Sequence, residues 1–181
     1  EGERHKMNNM ERTNRKQLLD RIGRVPKGIP FGWEKTVFAV GGLMYLGFSN
    51  RCSEKLIVIS SQGQRVIDCK PNEKTYCDEN YDEKDLVAFA DLLGDETVPI
   101  AGDGGGGLLR YSSEGNALAL EAPFWPQEQI LFMPNYVSWH SQPEKCTVIF
   151  EDYEIKAFGF SPCGHYIAVG TSSSLIIFKK R

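Results

Sequence analysis

The chain has 181 residues, 41% of them apolar and 25% charged, with a formal net charge of −3. That length supports one well-buried core with an appendage, not two full domains. No apolar run approaches the roughly 20 residues that cross a bilayer, and the cysteines Cys52, Cys69, Cys77, Cys146 and Cys163 are odd in number without a close pair, which argues against a disulfide framework and for a cytoplasmic, non-membrane protein.

The charge is unevenly spread. Residues 4–27 hold eight Lys or Arg against two acidic groups, and residues 28–181 hold thirteen against twenty. A basic arm can track phosphates, but a solvated helix face or an arm docked on an acidic body explains it without a ligand. Nucleic acid is therefore not an expected partner. Residues 1–6 lack an initiator Met and an apolar stretch, and read as a remnant ahead of a native start near Met7.

In chain order, Met10, Leu18, Ile22 and Val25 fall near helical spacing, so a helix is predicted over residues 10–23, stopped by Gly23 and Pro26. Residues 1–28 then form a basic helical extension and residues 29–181 a single antiparallel β-rich domain. Gly41-Gly42 between two apolar runs predicts a hairpin, which with residues 55–59 and 65–69 gives a four-stranded meander. Leu86, Phe89, Ala90 and Leu93 repeat as i, i+3, i+4 and i+7, with Asp82 as N-cap and Gly94 as stop, and predict a second helix over residues 82–93. Strands are predicted again at residues 97–101, 108–111, 117–121, 130–133 and 147–150.

One pattern is written twice. Gly47-Phe48-Ser49 and Gly159-Phe160-Ser161 each lead through an apolar strand and a Ser-rich turn to another apolar strand. Such repeats identify a unit of architecture. The expected fold is mainly β, built of antiparallel meanders with two short helices and a twice-used three-strand unit, and not a complete propeller, which needs at least four blades of four strands.

Residues 157–164, Ala-Phe-Gly-Phe-Ser-Pro-Cys-Gly, followed by Ile167-Ala168-Val169-Gly170, locally resemble the end of a WD-repeat blade, without the Trp-Asp dipeptide. The wider layout is similar to a family of small uncharacterised bacterial β-rich proteins. Asp68-Cys69, the Ala-Gly…Gly-Gly-Gly-Leu segment at residues 101–108, Phe124-Trp125-Pro126 and the Thr-Ser-Ser-x-x-x-Ile-Phe end at residues 171–178 carry that likeness. It implies a shared fold and transfers no activity.

Residues 102–107 contain Gly-x-Gly-x-x-Gly, yet the residues that follow alternate like a hairpin where a dinucleotide site needs a helix. No cofactor is expected. Asp78, Asn80 and Asp82 begin like a calcium loop, but Glu83 stands in place of its glycine and Phe89 in place of its bidentate Glu. No metal is expected. Cys163 and His165 lie close in sequence, but Ser-Pro-x-Gly turn chemistry already explains their setting. The chain is therefore read as a non-enzymatic protein-binding module, with toxin neutralisation in a bacterium as the specific form and a cognate toxin as partner. The alternative is a small hydrolase or transferase with its site near residues 102–107 or Cys163 and His165. Aromatics on loops anchor interfaces, so Phe124, Trp125, Trp139 and His140, with Asp103 in the Gly loop, are the candidate partner-binding residues.

Overall fold

The computed structural model describes the backbone of residues 2–181 and the side chains from residue 12 onward. Helix α1 (Gly2–Ile22) begins earlier than its predicted start and ends as expected, where Gly23 donates its N–H to the Leu19 carbonyl at 3.0 Å. Of the apolar stripe assigned to it, Ile22 and Val25 are buried, Leu18 is 43% exposed, and Met10 lies outside the described side chains. Among the described side chains of the helix, those near its end are the packed ones.

The strands follow in order: β1 (Trp33–Ala39), β2 (Leu43–Phe48), β3 (Lys55–Ser60), β4 (Gly63–Asp68), β5 (Glu73–Cys77), β6 (Tyr81–Asp82), β7 (Val87–Ala88), β8 (Val98–Pro99), β9 (Ala101–Gly102), β10 (Ala117–Phe124), β11 (Gln127–Met133), β12 (Thr147–Asp152), β13 (Ile155–Phe160), β14 (Tyr166–Thr171) and β15 (Ser174–Lys180). They form four antiparallel sheets, ordered β5-β4-β3-β2-β9, β1-β15-β14-β13, β10-β11-β12 and β6-β7-β8. The fold is mainly β, with no closed barrel or propeller.

Alternation along the strands gives each of the two central sheets two apolar faces, and both faces are covered. Leu46, Phe48, Leu56, Val58 and Ile67 of the first meander pack on Ala157, Ala168, Leu175 and Ile177 of the second. The opposite face of the second meander, with Phe158, Phe160, Val169 and Phe178, packs on Leu118, Ile130 and Phe132 of the third sheet. Leu131 and Val148 on the far side of that sheet are covered by Ile22, Val25 and Trp139. At the other end, Ile57, Ile59 and Val66 are covered by Ala88, Val98 and Ile100. The molecule is thus a stack of β-layers closed by α1 at one end and by the small β6-β7-β8 sheet at the other.

The two Gly-Phe-Ser units occur as the same three-stranded meander. Gly47 pairs with Ile57 and Phe48 with Leu56, as Gly159 pairs with Ala168 and Phe160 with Ile167. Phe48 points toward the second meander and Phe160 toward the third sheet, so the unit recurs head to tail along the stack. Both glycines are crossed by residues 97–111. A Cβ on Gly47 would meet the Pro99 carbonyl oxygen at 2.2 Å, and one on Gly159 would meet Leu108 Cβ at 2.3 Å.

Three expectations need correction. Gly41-Gly42 is not a hairpin turn, because β1 pairs with β15 over seven residues and the glycines carry the chain from one sheet to the next. The long apolar edge of β15 offered a partner that local turn chemistry could not reveal. Residues 82–93 form no α-helix: β6 and β7 pair there, and only Asp91–Leu93 make a 3₁₀ turn. Gln64, buried on β4, fixes that segment by donating to the Phe89 carbonyl at 2.6 Å and accepting from the Asn80 N–H at 3.0 Å. Tertiary hydrogen bonding overrides a helical period. Residues 108–111, finally, make isolated bridges, Leu109 to Phe160 and Tyr111 to Ala117, in place of a strand.

Candidate functional site

The β10–β11 hairpin carries its tip past the end of the sheet. Its pairing shifts between Glu121 and Phe124, and the turn residues Trp125 and Pro126 join the strands through a cis bond. A tip of this kind has no layer above it, so Phe124 and Trp125 are 60% and 77% exposed. They stand beside α1, and between the two elements lies a groove of about 450 Å³ lined by Arg15, Leu18, Leu19, Ala122, Pro123, Phe124 and Trp125. Volumes of this size suit small ligands or the side chains of a partner. Sequence reasoning missed Arg15 and Leu18, although Leu18 is an apolar residue in the most basic stretch of the chain and lies one helical turn before the buried Ile22.

The other candidate residues lie elsewhere. Trp139 is 2% exposed and packs with Ile22, Val25 and Leu131, so it is a core plug and not a contact residue. His140 is exposed and stacks on it at 3.8 Å between ring centroids. Asp103 sits in the Gly loop beside the two meanders, where its carboxylate meets Lys156 Nζ at 2.7 Å and its N–H bonds the Met44 carbonyl at 3.0 Å. These residues do not form one site. Phe124 and Trp125 stand together, lining one groove with Arg15, Leu18 and Leu19 of α1.

The Gly loop is explained by packing. A Cβ on Gly102 would fall 1.8 Å from the Met44 carbonyl oxygen, and Gly106, at φ +79, would bring one within 2.5 Å of the Ile100 carbonyl. Glycine is required there for close backbone approach. Cys163 packs against the core with its Sγ 3.3 Å from Ser161 Oγ, while His165 is exposed, and no hydrogen bond joins thiol to imidazole. No group of three or more His, Cys, Asp or Glu side chains that could hold a metal occurs among the described residues. No helix among them is long and apolar enough to cross a membrane.

Charge is sorted along the stack. Residues 71–96 contain nine carboxylates and two lysines, a net charge of −7 that equals the whole acidic excess of residues 28–181. Seven of these, Glu73, Asp78, Glu79, Asp82, Glu83, Asp85 and Asp91, are exposed and make no ion pair among the described residues. The layer is held by local bonds, as where Asp82 Oδ1 accepts the Lys84 and Asp85 N–H groups at 2.8 and 3.1 Å. At the far end, Arg12, Arg15, Lys16 and Arg21 of α1 are exposed and likewise make no ion pair among the described residues.

Compared with known protein families, curated proteins and solved structures, the chain matches none.

Proposed function

We propose that the chain is a non-enzymatic protein-binding module anchored by Phe124 and Trp125. One observation carries this: two adjacent large aromatics stand exposed over an open groove, while Trp33 and Trp139 are buried in clusters of their own. A monomeric surface has little reason to keep an exposed Trp and Phe together unless something covers them, and buried aromatic anchors dominate binding energy in protein interfaces.

Toxin neutralisation in a bacterium is the specific form we give this reading. The bacterial setting rests on the family likeness across residues 43–178. The acidic excess of residues 71–96 supports the rest, since seven exposed carboxylates without an ion pair among the described residues attract a partner with a cationic active site and speed its association. The test is co-expression with the product of the adjacent gene, followed by co-purification and growth rescue. Wild type is expected to rescue growth and retain the partner, and the Phe124→Ala, Trp125→Ala double variant to lose the partner. Absence of both rescue and retention at low salt for wild type contradicts the proposal.

A further inference from the structure

The groove beside α1 also specifies what kind of segment fits it. Its floor is apolar, from Leu18, Leu19, Ala122, Pro123, Phe124 and Trp125, while its helical wall carries Arg15, with Arg12 one turn before it. From Arg12 to Leu18 every residue of the helix is exposed, so this stretch of the wall is not covered by another layer among the described residues. A polar helix that is exposed all round gains little stability from its own sequence. A partner lying along it would supply the missing packing.

Arg15 is the one charged side chain among the described residues that lines the groove, and the helix that carries it is lopsided in charge. Across residues 12–21, α1 offers Arg12, Arg15, Lys16 and Arg21 against Asp20, and β10 adds only Glu121. None of the four cations is neutralised by an ion pair among the described residues. Apolar floor and cationic rim together match an amphipathic helix with an acidic polar face, the helix-in-groove mode in which anchors recur at i, i+3 and i+4. Building on the reading of Phe124 and Trp125 as a protein anchor, we infer that the groove receives an acidic amphipathic helical segment of the partner.

Trp125 reports on the site directly, because the other two tryptophans are no more than 5% exposed. The probes are a synthetic Leu-and-Glu amphipathic peptide of roughly 18 residues, enough for five helical turns, its Lys-for-Glu counterpart, and phosphatidylserine vesicles. The acidic peptide is expected to shift Trp emission to the blue and saturate. Arg15→Glu on the exposed helix face should weaken it at least about tenfold, and about 1 M salt, where the Debye length is about 3 Å, should weaken it further. Trp125→Phe should retain the peptide in a competition assay while losing the emission shift. Equal binding of the basic peptide, or a shift with vesicles and none with the acidic peptide, overturns the inference. If the acidic peptide fails while Trp125→Ala still releases a co-expressed partner, the anchor stands and the acidic class is wrong.

Discussion

The Ser49 hydroxyl donates a 2.6 Å hydrogen bond to the buried carboxylate of Glu96. The same carboxylate accepts the Asn50 N–H at 2.7 Å and the Arg51 N–H at 3.3 Å, so the residue just ahead of the crossing segment holds the turn that ends the first Gly-Phe-Ser copy. The second copy has no such partner. Ser161 Oγ accepts the Tyr166 N–H at 3.1 Å, and its turn closes on itself.

This asymmetry has a measurable cost on either side. Hydrogen bonds to a charged group contribute about 1.5–3 kcal/mol and neutral ones about 1 kcal/mol. Glu96→Ala is therefore expected to lower unfolding free energy by about 2–3 kcal/mol in urea titrations, and Ser161→Ala by about 1 kcal/mol. Equal losses would mean that Glu96 does not organise the turn.

Gly47 and Gly159 should respond alike, since each lies under the crossing segment. Gly47→Ala and Gly159→Ala are each expected to destabilise by roughly 1–3 kcal/mol through overpacking, whereas Gly107→Ala, with nothing within 4 Å of its Cβ, should be nearly neutral. Thermal unfolding of the three variants checks the order.

How far the sequence reveals this structure depends on whether a feature is local. The repeated meander is legible because strand alternation and Ser-rich turns act over a few residues, and Phe48 and Phe160 fall in matching registers. The partner of β1 is not legible, because it lies more than 130 residues away in β15. The helix expected over residues 82–93 fails because Gln64, distant in sequence, holds that segment extended. Trp125 and Trp139 look equivalent in sequence, both in Pro-containing connections. Trp125 is exposed because it lies at a hairpin tip, and Trp139 is buried because α1 docks Ile22 and Val25 against it.

All five cysteines are free thiols, and their reactivities should separate. Cys52 is exposed, whereas burial pushes the Cys69 thiol up to about 12, with the nearby Asp68 carboxylate adding to the effect. At pH 8 a thiol reagent is expected to modify Cys52 fastest and to leave Cys69 unmodified until the chain unfolds, after which five thiols titrate. Early modification of Cys69 would contradict the packing of the first two layers.

The Lys55–Asp68 pair joins the edges of β3 and β4, and it gives stability a pH dependence. Partial burial opposes ionisation of Asp68, but the hydrogen bond from Lys55, with the Lys70 N–H and the charges of both lysines, outweighs it and holds the carboxyl below its ordinary 3.8. A depressed carboxyl contributes stability that is present above its unfolded pKa and is lost as pH falls through the folded one. Wild type should therefore exceed Asp68→Asn in stability at pH 6, and the difference should shrink as pH falls below 3.8. The hydrogen bond to Asp68 also raises Lys55, so the same contribution should fade again as pH rises beyond 10.5. A difference that stays constant from pH 6 to 3 would show that the pair contributes no linked stability.

The most direct test of the binding account is the affinity of the co-purified partner for Trp125→Ala and for wild type, measured by calorimetry beside each protein's thermal midpoint. Loss of a central aromatic anchor costs about 2 kcal/mol or more, about thirtyfold in Kd. Because Trp125 is 77% exposed, the midpoint should not move. A Kd within about threefold of wild type, a difference under about 1 kcal/mol, would contradict the assignment of the hairpin tip as the anchor.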